Sequence, residues 1–313
     1  MSGSIGRMTI CALSYDLASQ RLSSTSGVDL QIGPFVFNLR LHCPDLARLL
    51  YELWRDYPLA EGAAVRDFHI QATSNPAPGR WLRRDVRFFV DGRTPFPLLP
   101  AHHHLPMLEW GLNWCIAQRS HHLLMLHAAV VERNGRAIIL PAWPGHGKST
   151  LCAALIHSGW RLLCDEFGLV RPEDGALLPL PRLIPLKNES IEVIRSFAPS
   201  AHIGPSFYGT RKGTIAHVRP PTESVERMHE TARPGWFVFP RWVAGSPLRL
   251  EPMLKSEAFL MVATNAFNYE VLGQTSFELV GRMVDACDCY SLVYSDLDQA
   301  IKALDELTRA ADD

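Results

Sequence analysis

The residues of this chain best suited by type and spacing to chemistry are Lys148, Ser149, Asp165 and Glu166. Lys148 and Ser149 belong to the run Pro144, Gly145, His146, Gly147, Lys148, Ser149 and Thr150. This run follows an apolar stretch at 137–140 and leads directly into the apolar segment LCAALI. Strand, glycine loop and helix in that order make a phosphate-binding P-loop. The glycines let successive N–H groups turn round an anion, and the helix N-terminus adds a favourable dipole. Lys148 would reach the β- and γ-phosphates, and the Ser149 hydroxyl would hold magnesium. The first glycine of G-x-x-x-x-G-K-[ST] is here Ala142, which requires only that this position keep φ below zero.

Residues 160–164 read as the next strand, with Asp165 and Glu166 at its C-terminal end. In a parallel sheet that end lies beside the loop, where an acidic pair can bind magnesium and activate a hydroxyl. The bland reading of the pair is a polar cap on a strand. His127, inside LLMLHAAVV, reads from the residues alone as a core or edge histidine. Lys187 and Glu189 follow a β-like run at 181–186 and suit contact with phosphate or magnesium, or ordinary surface polarity. Arg211 and Lys212, in the glycine-containing segment 204–213, are expected to close over a ligand as a basic lid. His102, His103 and His104 are consecutive, so no regular element aims all three at one metal; a surface loop is expected.

The chain that must position these groups has 313 residues, 47% hydrophobic and 20% charged, with a formal net charge of −1. That composition supports a sizeable packed core and gives no basis for a nucleic-acid or anionic-membrane partner. No apolar run is long enough for a membrane span, and the N-terminal twenty residues lack a secretory apolar core. The seven cysteines are scattered, as in a chain with reduced thiols, so a cytoplasmic location is expected.

Residues 1–98 suggest a small α+β domain. Phe35, Phe37, Leu39 and Leu41 share one face of a strand; Leu46, Leu49, Leu50, Leu53 and Trp54 share one face of a helix opened by Asp45. Phe68, Ile70 and Ala72 mark a second strand, and 86–90 a third, closed by Asp91-Gly92. The proline- and histidine-rich segment 95–106 reads as a linker before a buried helix at 107–117. Two strands, 123–132 and 136–140, are joined by Asn134-Gly135, a strong hairpin signal. Towards the C-terminus, helices are expected near 256–267 and 276–285 and a strand at 290–294. Ser295 is expected to cap a last helix with Asp298 as its capping-box partner.

Asp165 follows Lys148 by only 17 residues. This compact spacing, with an acidic doublet, resembles the catalytic domain of bacterial HPr kinase/phosphorylase, whose sheet is shared with phosphoenolpyruvate carboxykinase. The second acid of that family is an aspartate; here it is Glu166. More widely, the series LEWGLNWC (108–115), LHAAVV, GKSTL, LLCDEF, LKNES (186–190), KGT (212–214) and FNY (267–269) resembles a bacterial group, the HPr-kinase-related kinases of type A, over nearly the whole chain. The resemblance implies an α/β P-loop kinase domain at 99–313 beside an accessory or docking α+β domain at 1–98. It implies ATP and Mg2+ as cofactors, with transfer of the γ-phosphoryl group to a hydroxyl. It brings His127 near that phosphate and gives Asp165 first the task of base for the acceptor hydroxyl, or else that of magnesium ligand, with Glu166 taking the other. The group also implies a PqqD-like peptide-binding companion and a Ser/Thr hydroxyl of a peptide or protein as acceptor. A small-molecule acceptor, a P-loop ATPase or nucleotide-binding module without acceptor, and assembly into a homo-oligomer stay open.

Overall fold

The computed structural model describes residues 8–74 and 85–309. Parts of the expected 1–98 domain and of the N-terminal segment, residues 1–7 and 75–84, lie outside them. The described chain is mixed α/β with three sheets.

Helix α1 (Tyr15–Ser23) begins where Ser14 Oγ accepts the Leu17 N–H at 3.3 Å. Strands β1 (Val28–Ile32) and β2 (Phe35–His42) form an antiparallel hairpin, and α2 (Pro44–Leu53) crosses over to β3 (Phe68–Ser74), which is parallel to β2. Strands β4 (Asp85–Val90) and β5 (Leu99–Pro100) complete a five-stranded sheet in the order β1-β2-β3-β4-β5. Phe35, Phe37, Leu39 and Leu41 are all buried, as their alternation requires, and Leu46, Leu50, Leu53 and Trp54 of the α2 stripe cover that face. The Asp91-Gly92 turn takes φ of 47° and 78°, the left-handed pair such a turn demands.

The segment expected as a linker is built into the fold. Its residues 99–100 pair with β4, residues 101–103 form a 3-10 turn, and α3 (His104–Arg119) starts immediately. The expected surface loop of histidines is likewise corrected. His103 and His104 are buried; His103 Nε2 lies 2.8 Å from the Tyr208 carbonyl and His104 packs edge-on against Phe207. An imidazole offers both a ring to pack and a nitrogen to pair, so it serves at such a junction. Helix α3 is apolar on several sides because it lies between two sheets: Leu105, Leu108, Leu112 and Ile116 are fully buried, and a Cβ at Gly111 would collide with the Phe88 ring. One hydrophobic core accordingly runs from Ile10 to Cys289, across the boundary expected at 98/99.

Strands β6 (Leu124–Arg133) and β7 (Arg136–Pro141) form the expected hairpin, with Asn134 and Gly135 at φ 54° and 78°. Then come α4 (Lys148–Ile156), β8 (Arg161–Cys164), β9 (Phe167–Val170), β10 (Leu177–Leu178), β11 (Ile184–Lys187), α5 (Glu189–Phe197), β12 (Phe207–Thr210), β13 (Gly213–Val218), α6 (Thr222–Glu226) and β14 (Arg233–Trp242). The chain ends with β15 (Arg249–Pro252), α7 (Lys255–Thr264), α8 (Tyr269–Leu272), α9 (Gln274–Ala286), β16 (Asp288–Tyr294) and α10 (Leu297–Arg309). The large sheet has the order β10-β9-β6-β7-β14-β16-β15, with β8 also on β6. Strands β7, β14 and β16 are mutually parallel. The strand bearing the acidic pair is not a parallel neighbour of β7. It is antiparallel to β6, which stands between them, so β8 and β7 still run the same way and end on the same side. The cause is the tight Asn134-Gly135 hairpin, which lays β6 along β7.

A second core covers the other face of this sheet, where α4, α10 and the small antiparallel sheet β11-β13-β12 pack. The cap of α10 differs from expectation. Asp296 is the capping residue, its Oδ1 accepting the Gln299 N–H at 2.8 Å, while Ser295 Oγ donates to the Ser246 carbonyl. No described helix is long and apolar enough to cross a membrane.

Candidate active site

β7 delivers the chain into the glycine loop, and α4 leaves it. Ala142 is buried and absent from the left-handed region, so alanine fits where the pattern has glycine. Gly145 and Gly147 have φ of 88° and 85°, which L side chains avoid. At Gly147 space is closed as well: a Cβ would stand 2.6 Å from the Tyr294 hydroxyl. Gly147 caps α4, whose first N–H groups have no intrahelical acceptor and so present a ready anion site. Pro144, Gly145, Gly147, Lys148, Ser149 and Thr150 line a cavity of about 590 Å³; His146 does not, being tied by its backbone to Trp143 and Trp242.

Asp165 and Glu166 fall between the pairing of β8 with β6 (Val130↔Cys164) and that of β9 with β6 (His127↔Phe167), where the ladder is interrupted. Freed from the ladder, both carboxylates reach the cavity. Ser149 Oγ donates to Asp165 Oδ2 at 2.7 Å. Lys148 Nζ donates to the Asp165 carbonyl and lies 3.5 Å from its Oδ1. Burial lifts the Asp165 carboxyl above the ordinary carboxylate range despite Lys148 and Ser149. Burial opposes the Lys148 charge too, but the Asp165 and Glu166 carboxylates outweigh it and raise its pKa.

Glu166 answers to a different element. Asn113 Nδ2 of α3 donates to Glu166 Oε2 at 2.5 Å, and Asn113 Oδ1 accepts from Arg182 Nη1. Arg182 Nη2 in turn donates to the Glu109 carbonyl at 2.8 Å and to the Glu109 carboxylate. Burial pushes the Glu109 carboxyl up, against the pull of Arg182. Glu109 and Asn113 are one helical turn apart, so α3 aims both at the same wall. Neither they nor Arg182 carry an expectation from the sequence. The available signal was a polar pair at i, i+4 on a helix otherwise buried.

His127 lines the cavity and packs on Phe267 at 5.2 Å, which stacks on Phe167 at 4.5 Å. Burial, then Lys148, lowers its pKa to about 4, so the ring is neutral at ordinary pH. His217, a further buried cavity residue, is lowered to about 3 by burial and then Arg182. Lys187 and Lys212 stand at the cavity edge; partial desolvation and then Lys212 lower the Lys187 pKa. The segment expected as a lid is the β12–β13 hairpin. It is tied down by Asn188, which donates its N–H to the Thr214 carbonyl at 2.9 Å and accepts the Thr214 N–H at 3.1 Å. Arg211 and Glu189 are exposed and do not line the cavity: Arg211 occupies the hairpin turn and Glu189 starts α5, with Asn188 and Ser190 facing the cavity instead.

The donor set suits a small hard cation shared with phosphates. Ser149 and Asp165 offer one hydroxyl and one carboxylate, and magnesium bound with a nucleotide keeps its remaining positions for water and phosphate oxygens. No group of three or more His, Cys, Asp or Glu among the described residues forms a metal cage of its own.

Residues 105–181 match the model of a family described as "SynChlorMet cassette protein ScmC", a description that names neither HPr kinase nor the type A kinases. No curated protein matches the chain. Among solved structures, the Hpr(Ser) kinase/phosphatase from Coxiella burnetii is similar at 13% identity over 60% of this chain and 97% of that one, with a TM-score of 0.24.

Proposed function

We propose that this protein is a P-loop phosphotransferase of the HPr kinase/phosphoenolpyruvate carboxykinase type, which moves the γ-phosphoryl group of ATP to a hydroxyl. The observation that carries the reading is the division of the acidic doublet. Asp165 is bonded to Ser149 and Lys148 at the anion-binding helix, and Glu166 is held by Asn113 on the same cavity. Lys148 and the N–H groups of the loop bind the β- and γ-phosphates. Ser149 and Asp165 would hold magnesium, which would supply charge neutralisation to the phosphates. Glu166, free of Ser149 and pointed by Asn113, takes the acceptor's proton as its oxygen attacks phosphorus and the bond to the β-phosphate oxygen breaks, leaving ADP. Lys187 and Lys212, at the cavity edge, neutralise the transferring group. Neutral His127 offers a hydrogen bond beside it without adding charge.

The acceptor we infer is a Ser or Thr hydroxyl on a peptide or protein. Phe267 lies half in the cavity mouth and half exposed, on the α7–α9 side that also exposes Leu260, Val271 and Phe277. A chain laid there would gain contacts remote from the reacting atom, which an alkyl hydroxyl needs for alignment. A cassette setting, as in the matched family's description, suits a protein that acts beside an encoded companion such as a PqqD-like peptide-binding protein. The test is incubation with ATP, Mg2+ and peptides encoded beside it, read by ADP release and by mass spectrometry of the peptides. ADP formed only with a peptide, and phosphate found on its Ser or Thr, is expected. ADP formed equally without any acceptor would establish an ATPase instead.

A further inference from the structure

Among the described tryptophans, Trp54, Trp160 and Trp236 are buried, and Trp110 and Trp114 are half-buried. Only Trp143 and Trp242 are exposed, at 49% and 47%, and both stand at the glycine loop. Trp143 belongs to the loop and lines the cavity; its carbonyl accepts the His146 N–H at 3.2 Å. Trp242 ends β14 and donates its N–H to the His146 carbonyl at 3.0 Å. Its indole Nε1 donates to the Ser295 carbonyl at 3.2 Å, which fixes the ring, and its Cβ packs against Gly147. Two residues far apart in sequence are thus anchored to one loop residue with about half of each left exposed, Trp143 lining the cavity and Trp242 standing beside it at Gly147.

A half-exposed indole forfeits part of its apolar burial, and two at one loop offer an aromatic surface to an occupant. Phosphates held at the N-terminus of α4, with Lys148 and Asp165 on the inner side, leave the remainder of a nucleotide to run outward over the loop. A nucleobase there meets aromatic faces that stack on it without needing a matched hydrogen-bond pattern. We propose that Trp143 and Trp242 form the base platform of the nucleotide site, taking a purine ring while the triphosphate occupies the glycine loop. The proposal rests on the P-loop reading and names its second half: the loop supplies phosphate affinity, and the two indoles supply the preference for a nucleotide over a bare polyphosphate.

Calorimetry with Mg2+ and two probes, ATP and inorganic tripolyphosphate, tests it on the full chain. Wild type is expected to bind ATP more tightly than tripolyphosphate. Trp143→Ala/Trp242→Ala, which keeps the Cβ against Gly147, is expected to lose ATP affinity about tenfold or more and to bind tripolyphosphate unchanged. Trp143→Phe/Trp242→Phe is expected to recover most of the loss. A double alanine variant that binds ATP like wild type, or that loses both probes in parallel, overturns the platform. So does a wild type that binds the two probes equally, with the P-loop reading intact. A wild type that binds neither probe overturns the P-loop reading and the platform with it.

Discussion

Asp165 accepts a hydrogen bond from Ser149 Oγ at 2.7 Å, whereas its neighbour Glu166 is held from the opposite wall by Asn113. Adjacent acids bound to α4 and to α3 should fail differently. Asp165→Asn removes charge at the proposed magnesium position and is expected to lower the magnesium-dependent part of ATP affinity about tenfold. Glu166→Gln is expected to keep that affinity and to slow transfer by ~10²–10⁴. Calorimetry with and without Mg2+, beside a turnover assay, checks both; equal effects on binding from the two variants would refute the division.

Lys148→Ala removes the point charge proposed to meet the transferring phosphate. Transfer is expected to fall by ~10²–10³ with the fold retained, measured by initial rates and thermal melting. Turnover at the wild-type rate would remove the loop from the mechanism.

The Arg182–Glu109 pair is almost fully buried, so its two partners depend on each other. Arg182→Met strands the Glu109 carboxylate and is expected to destabilise by about 3–5 kcal/mol. Adding Glu109→Leu should restore most of that stability, as denaturant titration would record. Because Arg182 also anchors Asn113, the restored double variant should still transfer phosphate more slowly than wild type.

His217 has a pKa pushed to about 3 from the ordinary 6.5, and His127 to about 4. A base lowered by folding contributes stability that is complete above the unfolded value and lost as pH falls towards the folded one. Stability should therefore decline between pH 6.5 and about 3, with His217 contributing on the order of 5 kcal/mol. The difference in unfolding free energy between wild type and His217→Gln should shrink across that window. A pH-independent difference would show that His217 does not titrate on unfolding.

Since one core runs from Ile10 to Cys289, removal of residues 1–98 should expose the buried faces of α3 and abolish cooperative unfolding. Circular dichroism and calorimetry of the shortened chain check this. A sharp transition with intact ATP binding would support the reading of 1–98 as a detachable docking domain.

The parts of this protein legible in sequence are those whose signals are local. The alternation at 35–41, the helical stripe at 46–54, the Asn134-Gly135 turn and the strand–glycine–helix run each depend on neighbours within a turn or two, and each forms as expected. Tertiary structure decided what meets across the cavity. Asn113 reaches Glu166 across 53 residues of chain, Arg182 reaches Asn113 across 69, and Glu109 pairs with Arg182 across 73. The run LEWGLNWC was conspicuous, yet nothing within it tells that Glu109 and Asn113 face the acidic doublet. Lys187 and Lys212 meet the cavity while Glu189 and Arg211 do not, because the chain leaves β11 at Lys187 and enters α5 at Glu189, and Arg211 occupies the β12–β13 turn. Local geometry follows from short-range sterics and periodicity. Which polar groups are paired inside the wall depends on how two sheets close over one helix, and that closure is written in no single stretch of the chain.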